Sequence, residues 1–331
     1  MRDHTQGMIP VARPAFGIEE EAAVVEALRS GWVTQGPRVA EFERAFATAL
    51  GQPEAVAVSS CTAGLHLILH ALGLGPGDEV VAPSLSFIAT ANAVVHAGAT
   101  PVFADVEVAS CNLDVASAEA ALSPRTRAIL LVHQAGLPAN LAGFRALATR
   151  AGVSLVEDAA CAIGSRVNDR PVGADSAVAA FSFHPRKLLT TGEGGMIVTG
   201  DAALARRFRS LRHHGVSMSD YERHGAGRVI VETYGEVGYN YRMTDLQAAV
   251  GLVQLRRVEE FVARRIALAR RYDAAFTGHA CLAIPPVPPG VTFNYQTYLL
   301  RLRPGSRMDR DGLMRALADR GVATRLKAGL F

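Results

Sequence analysis

Along residues 55–215, short apolar runs alternate with longer segments in which apolar side chains recur every three or four positions. The first pattern suits a strand buried on both faces and the second an amphipathic helix, so their alternation predicts βαβ units around a mainly parallel sheet. Strands are expected at 55–59 (Ala-Val-Ala-Val-Ser), 79–82, 101–104, 127–132, 153–157, 178–183 and 195–199. Helices are expected at 18–29 and 38–49, ahead of the sheet, and at 62–72, 86–97, 140–151 and 201–213. A helical pattern then runs from 244 to 275, and Pro285, Pro286, Pro288, Pro289 and Gly290 read as a connector. Beyond it the pattern predicts a strand over 292–302, a helix over 308–320 and the start of a strand at 322–325. The expected organisation is a large α/β domain, residues 1–255, and a smaller α+β domain, residues 256–331.

Composition narrows the function classes. With 331 residues, 49% of them apolar and 20% charged, the chain can bury a sizeable core and is neither disordered nor fibrous. Cys61, Cys111, Cys161 and Cys281 form no CxxC pair, which points away from a zinc site or disulfide framework and toward a reducing compartment. The first residues lack the apolar core of a secretion signal and no stretch has the length of a membrane span, so the cytoplasm is expected and a membrane is not. The formal charge of +3 conceals an asymmetry: residues 256–331 hold 14 basic and 6 acidic side chains. Those arginines are dispersed along helical segments without interleaved aromatics, so nucleic acid is not an expected partner.

Of the 34 basic residues, all but Lys187 and Lys327 are arginine. An amine can lose its proton and attack a carbonyl, whereas a guanidinium cannot. Lys187 sits in Ser182-Phe183-His184-Pro185-Arg186-Lys187, shortly before Gly192-Glu193-Gly194-Gly195, and is the first candidate for a Schiff-base nucleophile.

Ligands of open parallel sheets gather at the carboxyl ends of the strands, and polar residues collect there in this chain. Thr62 and Ala63 open a helix after the strand at 55–59, where amides and a hydroxyl suit either a phosphate or a simple helix cap. Asp158 ends another strand and suits a protonated heterocyclic nitrogen such as that of pyridoxal phosphate, or again a cap. Ser182 stands five residues before Lys187 at a third strand end, and Gly192, Gly194 and Gly195 suit a close backbone approach or a tight turn. His66 and His70 have i, i+4 spacing but lack the glutamate of HExxH, so no metal is expected. Gly73 to Gly77 is a turn, since Asp78 replaces the last glycine of GxGxxG, and neither GxSxG nor a P-loop occurs. Trp32, the single tryptophan, suits either a core anchor or the wall of a site.

In chain order these residues resemble the DegT/DnrJ/EryC1/StrS aminotransferases, fold-type I pyridoxal phosphate enzymes acting mostly on nucleotide-linked keto sugars. The resemblance rests on Gly31-Trp32-Val33-Thr34-Gln35-Gly36-Pro37, Ser59 to Leu65, Pro83 to Thr90, Glu157-Asp158-Ala159-Ala160, Ser182 to Lys187 with Gly192 to Gly195, and Gly238-Tyr239-Asn240-Tyr241-Arg242-Met243. It implies a fold-type I architecture and a catalytic Lys187 that forms the Schiff base and then shuttles a proton. It further implies that Asp158 holds the pyridinium proton, that Phe87 lies against the ring, and that Thr62, Ala63 and Ser182 bind the phosphate. Asn240 would reach that phosphate from a neighbouring subunit, which implies a homodimer, and Arg242 would position the carboxylate of the amino donor, glutamate.

The sequence departs from the family pattern at Gly64, where alanine is common, and at Cys161, beside the cofactor, where Gln or His is common. It also closes soon after Gly321-Val322-Ala323-Thr324-Arg325, so the small domain is expected to be incomplete. Dehydratases of the family carry histidine in place of the lysine, so Lys187 favours transamination. The expected activity is transfer of an amino group from glutamate to a nucleotide-activated keto sugar. A non-sugar ketone or aldehyde, and a non-catalytic cofactor-binding subunit, are the alternatives. Sugar preference is expected to depend on the loop Ser217 to Glu232, which has no clear periodicity.

Overall fold

The computed structural model describes residues 7–217, 231–326 and 329–330. The first elements are α1 (Ile18–Ser30), α2 (Pro37–Leu50), β1 (Glu54–Val58), α3 (Cys61–Ala71), β2 (Glu79–Pro83), β3 (Leu85–Ser86), α4 (Ala89–His96) and β4 (Thr100–Ala104). They are followed by α5 (Val115–Ala120), β5 (Thr126–Val132), α6 (Leu141–Ala151), β6 (Ser154–Asp158), β7 (Arg166–Val167), β8 (Arg170–Pro171), β9 (Val178–Ser182), β10 (Gly195–Thr199) and α7 (Ala202–Leu211). The remainder comprises α8 (Asp245–Arg256), α9 (Val258–Phe276), β11 (Leu282–Ala283), β12 (Val291–Thr292), β13 (Arg301–Leu302), α10 (Arg310–Ala318) and β14 (Gly329–Leu330).

The seven expected strands form one sheet in the order β1-β10-β9-β6-β5-β2-β4. Pairs from β9 to β4 are parallel, and β10 runs antiparallel to both β1 and β9. The period of two along each strand sorts side chains to opposite faces. Val56, Val58, Ala128, Leu130, Val178 and Ala180 face one way and join the core under α3, α4 and α7. Ala55, Ala57, Ala179 and Phe181 face the other way, toward Phe42 and Phe46 of α2. Ile129 and Leu131 meet Phe144 and Leu147 of α6 on that second face. Covering both faces explains why the strands read as unbroken apolar runs. Phe46 anchors one core, with its ring centroid 5.2 Å from Phe181 and 5.6 Å from Phe183. Burying each such ring stabilises the fold by about 2–3 kcal/mol.

Departures from the sequence pattern have local causes. The helix expected from residue 86 starts at Ala89, because Leu85–Ser86 pairs with Gly329–Leu330 instead. The long pattern from 244 to 275 is two helices meeting at Arg257 (φ −100°, ψ 1°). That break turns Val258 and Val262 into the core beneath the sheet. The strand expected over 292–302 survives only as β12 and β13 at its ends. Between them Tyr295 adopts φ 47°, a left-handed conformation that a continuous strand does not tolerate. At 322–325 the structure places one parallel bridge, Ile9 to Val322. The hairpin β7–β8 turns through Asn168 and Asp169, both left-handed, and pairs with β12. Among the described residues no helix is long and apolar enough to cross a membrane.

Candidate active site

Asp158 closes β6, near the middle of the sheet, and is only 5% exposed. Each carboxylate oxygen takes one donor and keeps room for another. The Thr90 hydroxyl donates to Oδ2 (3.0 Å), the Ala160 amide donates to Oδ1 (3.1 Å), and Thr90 Oγ1 lies 2.8 Å from Ser86 Oγ. Burial raises the carboxyl above the ordinary aspartate range, against the opposing pull of the Ala160 amide, Lys187 and Thr90.

Lys187 follows β9 in a loop whose backbone turns on its own N–H, donated to His184 O (2.8 Å). Its Nζ reaches inward and donates to Cys161 Sγ at 3.1 Å. Burial works against the ammonium, but Cys161, then Asp158, outweigh it and hold the amine above the usual lysine value. Burial, reinforced by Asp158, pushes the Cys61 thiol well up, so that sulfur stays protonated. Cys161, whose contact the sequence left open, is therefore the hydrogen-bond acceptor that steers the lysine.

The start of α3 lies beside this group. Ser60, not Thr62, is the helix cap: its hydroxyl accepts from Ala63 N (3.1 Å). That frees the half-buried Thr62 hydroxyl from the cap role which the sequence allowed it. Gly195 pairs with Ser182 on one side and Val58 on the other. A Cβ on Gly195 would stand 2.6 Å from Cys61 N, so only glycine lets β10 approach the helix start. The close backbone approach foreseen from the glycine run is thus made to the chain's own helix, and it sets Ser182 next to the α3 N-terminus.

Three other expected residues stand on segments that adjoin this cluster. Phe87 is 62% exposed, between β3 and α4. Asn240 is exposed in an antiparallel bridge with His213, and Arg242 sets Nη1 2.6 Å from His213 Nδ1. The Tyr241 carbonyl accepts from Ser59 N (2.8 Å), which fastens this segment to the end of β1. Residues 218–230 of the expected specificity loop lie outside the described residues, as does Lys327. Trp32 packs over Gly36, whose amide donates to Asp245 Oδ1 (2.8 Å). His66 is buried with Nδ1 3.2 Å from the Tyr241 hydroxyl, and burial brings its pKa down to about 4, so it is a neutral packing residue at pH 7.

Sequence patterns missed Asn294, which is 0% exposed. Its amide donates to the carbonyls of Cys161 (2.8 Å) and Ile163 (2.7 Å), and Ser165 Oγ, which donates to Gly136 O (2.6 Å), accepts from Asn294 N (3.2 Å). Only the run Phe293-Asn294-Tyr295, polar in the middle of an apolar stretch, hints at it. Asn294→Ala orphans the buried Ile163 carbonyl and the part-buried Cys161 carbonyl and is expected to cost about 2–3 kcal/mol, read as a lower melting temperature. A variant melting like wild type would remove that role.

The donor set fits pyridoxal phosphate: an inward amine, a buried carboxylate with raised pKa for a ring N–H, and a helix N-terminus flanked by two hydroxyls for a phosphate. The glycine-lined approach at Gly195 keeps those parts together. Among the described residues no group of three or more His, Cys, Asp or Glu could hold a metal ion.

Known proteins agree with this chemistry. The family model of the DegT/DnrJ/EryC1/StrS aminotransferase family matches residues 14–327. The aminotransferase TlmJ from Streptoalloteichus hindustanus is 40% identical with a TM-score of 0.90, over 98% of this chain and 86% of that one. The sugar aminotransferase CalS13 from Micromonospora echinospora is 32% identical with a TM-score of 0.88, over 96% and 85%. Spr1654 from Streptococcus pneumoniae, in its PLP form, is 29% identical with a TM-score of 0.90, over 98% and 85%. The chain thus belongs to the DegT/DnrJ/EryC1/StrS aminotransferase family and is a pyridoxal-phosphate-dependent aminotransferase.

Proposed function

We propose that this aminotransferase moves an amino group from glutamate to a ketone on a nucleotide-activated sugar. Similarity to CalS13, a sugar aminotransferase, over 96% of the chain is the observation that carries the acceptor class. Pyridoxal phosphate supplies an electron sink for the carbon that loses its proton. The chain's residues supply the rest. Lys187 would hold the cofactor covalently through Nζ and, when released, would carry a proton between the substrate carbon and the cofactor carbon, with Cys161 as its resting partner. Asp158, backed by Thr90 and Ser86, keeps a ring nitrogen protonated. Thr62, Ala63 and Ser182 gather at the α3 N-terminus, whose dipole favours a phosphate. Arg242 keeps N–H groups beyond the one facing His213, which suits the donor carboxylate. Asn240 is exposed in this chain, which supports a role across a homodimer interface, and Phe87, equally exposed, would cover the ring. We divide the chain at 255/256 into a cofactor-binding and a smaller domain. The four cysteines stand free, which supports a reducing compartment such as the cytoplasm.

The test records the visible spectrum of wild-type protein with pyridoxal phosphate, then with glutamate, then with a panel of nucleotide-linked keto sugars. Bleaching by glutamate and recovery with one sugar, with the aminated sugar seen by mass spectrometry, is the expected result. Bleaching with recovery only by a non-sugar ketone would overturn the acceptor class, and absence of bleaching would overturn the donor.

A further inference from the structure

Gln296 lies outside every motif described above, yet its carboxamide meets the chain on both sides of Lys187. Its Oε1 accepts from Leu188 N at 2.8 Å, and its Nε2 donates to Arg186 O at 2.7 Å. These are the amide after the lysine and the carbonyl before it. A single planar group thereby fixes the peptide planes that flank the Lys187 Cα, and with them the direction in which the side chain leaves the backbone.

Gln296 is itself held. Its backbone amide donates to Asn294 Oδ1 (2.8 Å). Its carbonyl accepts from Arg265 Nη1 (3.1 Å), as does the carbonyl of Tyr295 (3.0 Å). Arg265 lies on α9, the helix that starts in the core beneath the sheet. Two residues earlier, Asn294 grips the carbonyl of Cys161, the residue that accepts from Lys187 Nζ. The segment 294–296 therefore clamps donor and acceptor of the Lys187–Cys161 hydrogen bond at once. The left-handed Tyr295 between the two clamps is the strained link that lets both side chains reach; such strain persists only where its surroundings enforce it.

We propose that Gln296 is a positioning residue for Lys187, setting the amine for its reaction with the cofactor and for proton transfer. The proposal rests on the reading of Lys187 as the cofactor-holding residue. It differs from a plain folding role because both hydrogen bonds fall on the neighbours of the reacting side chain, and a displacement of about 1 Å at a reacting group costs roughly 10²-fold in rate.

Gln296→Met keeps the volume and removes both bonds, and Gln296→Glu keeps the acceptor for Leu188 N while losing the donor to Arg186 O. Three measurements apply to the wild type and both variants: melting of the cofactor-free protein, the rate at which the visible band forms with added pyridoxal phosphate, and its bleaching by glutamate. Both variants are expected to fold and melt cooperatively, Gln296→Met a few degrees below wild type because the amide of buried Leu188 loses its acceptor, and Gln296→Glu near wild type. Band formation and bleaching should slow roughly 10²-fold in Gln296→Met and less in Gln296→Glu, with little change in the glutamate concentration for half-maximal rate. Wild-type band kinetics in either folded variant would overturn the proposal. Should Gln296→Met fail to fold, Gln296→Glu decides alone: slowed band formation with normal melting supports positioning, and a loss confined to melting overturns it. Wild-type protein that forms no band would instead overturn the reading of Lys187, so the two failures are distinguishable.

Discussion

Lys187→Ala is expected to abolish amino transfer, with the rate falling by at least about 10⁴-fold, since in the proposed role the residue combines covalent holding and proton transfer. Lys187→Arg should be equally inactive, because a guanidinium keeps its proton at any pH the fold tolerates. Both variants should still fold. The Lys187 side chain contributes one described hydrogen bond, to Cys161, while the loop backbone is held by His184 O and Gln296. Removing the ammonium should also raise the Asp158 carboxyl further, because Lys187 is one of the groups that hold it down. The measurement is the glutamate-driven change in the visible spectrum, followed with and without a small primary amine in solution. Partial recovery with the added amine would locate the defect in the missing Nζ. Amino transfer within tenfold of wild type in Lys187→Ala would show that another residue does the work.

Much of this site could be read along the chain because its parts fall at strand ends, and strand ends are where apolar runs stop. Asp158 and Ser182 each terminate such a run, and Lys187 stands out by being an amine among arginines. Their partners could not be read so. Thr90 reaches Asp158 from a helix 68 positions earlier, and Asn294 and Gln296 reach the Cys161 and Lys187 loops across more than a hundred residues. Hydrogen bonds across such separations leave no periodicity. The segment 292–302 misled for the same reason: its apolar residues suit a strand, but its backbone is bent by the contacts of Asn294, Gln296 and Arg265. Local propensity yielded there to tertiary hydrogen bonding. Of the two roles open to Thr62, the cap falls instead to Ser60, and Ser60, Cys61 and Thr62 lie too close together for a sequence pattern to choose among them.

Asp158→Asn should move stability and activity in opposite directions. The asparagine Oδ1 can take the Ala160 amide, and its NH₂ can face Thr90, whose hydroxyl can turn toward Ser86 instead, so the local network survives. Without cofactor, burial holds the folded-state pKa of Asp158 above its unfolded value. Below about pH 4 both states are protonated and the carboxyl makes no difference. As pH rises, the unfolded chain ionises first, so stability is lost progressively until the folded pKa is passed and stays lost above it. Asparagine suffers no such loss. The cofactor-free variant should therefore melt above wild type at pH 7, and the advantage should vanish below pH 4. Activity should fall roughly 10²–10³-fold, because a neutral amide cannot hold a positive ring N–H while negative charge develops on the reacting carbon. Melting curves across pH test the first half and the glutamate half-reaction tests the second. A variant that is less stable at pH 7 yet fully active would sink both, since it would mean that Asp158 is a structural anchor and not the partner of the cofactor ring.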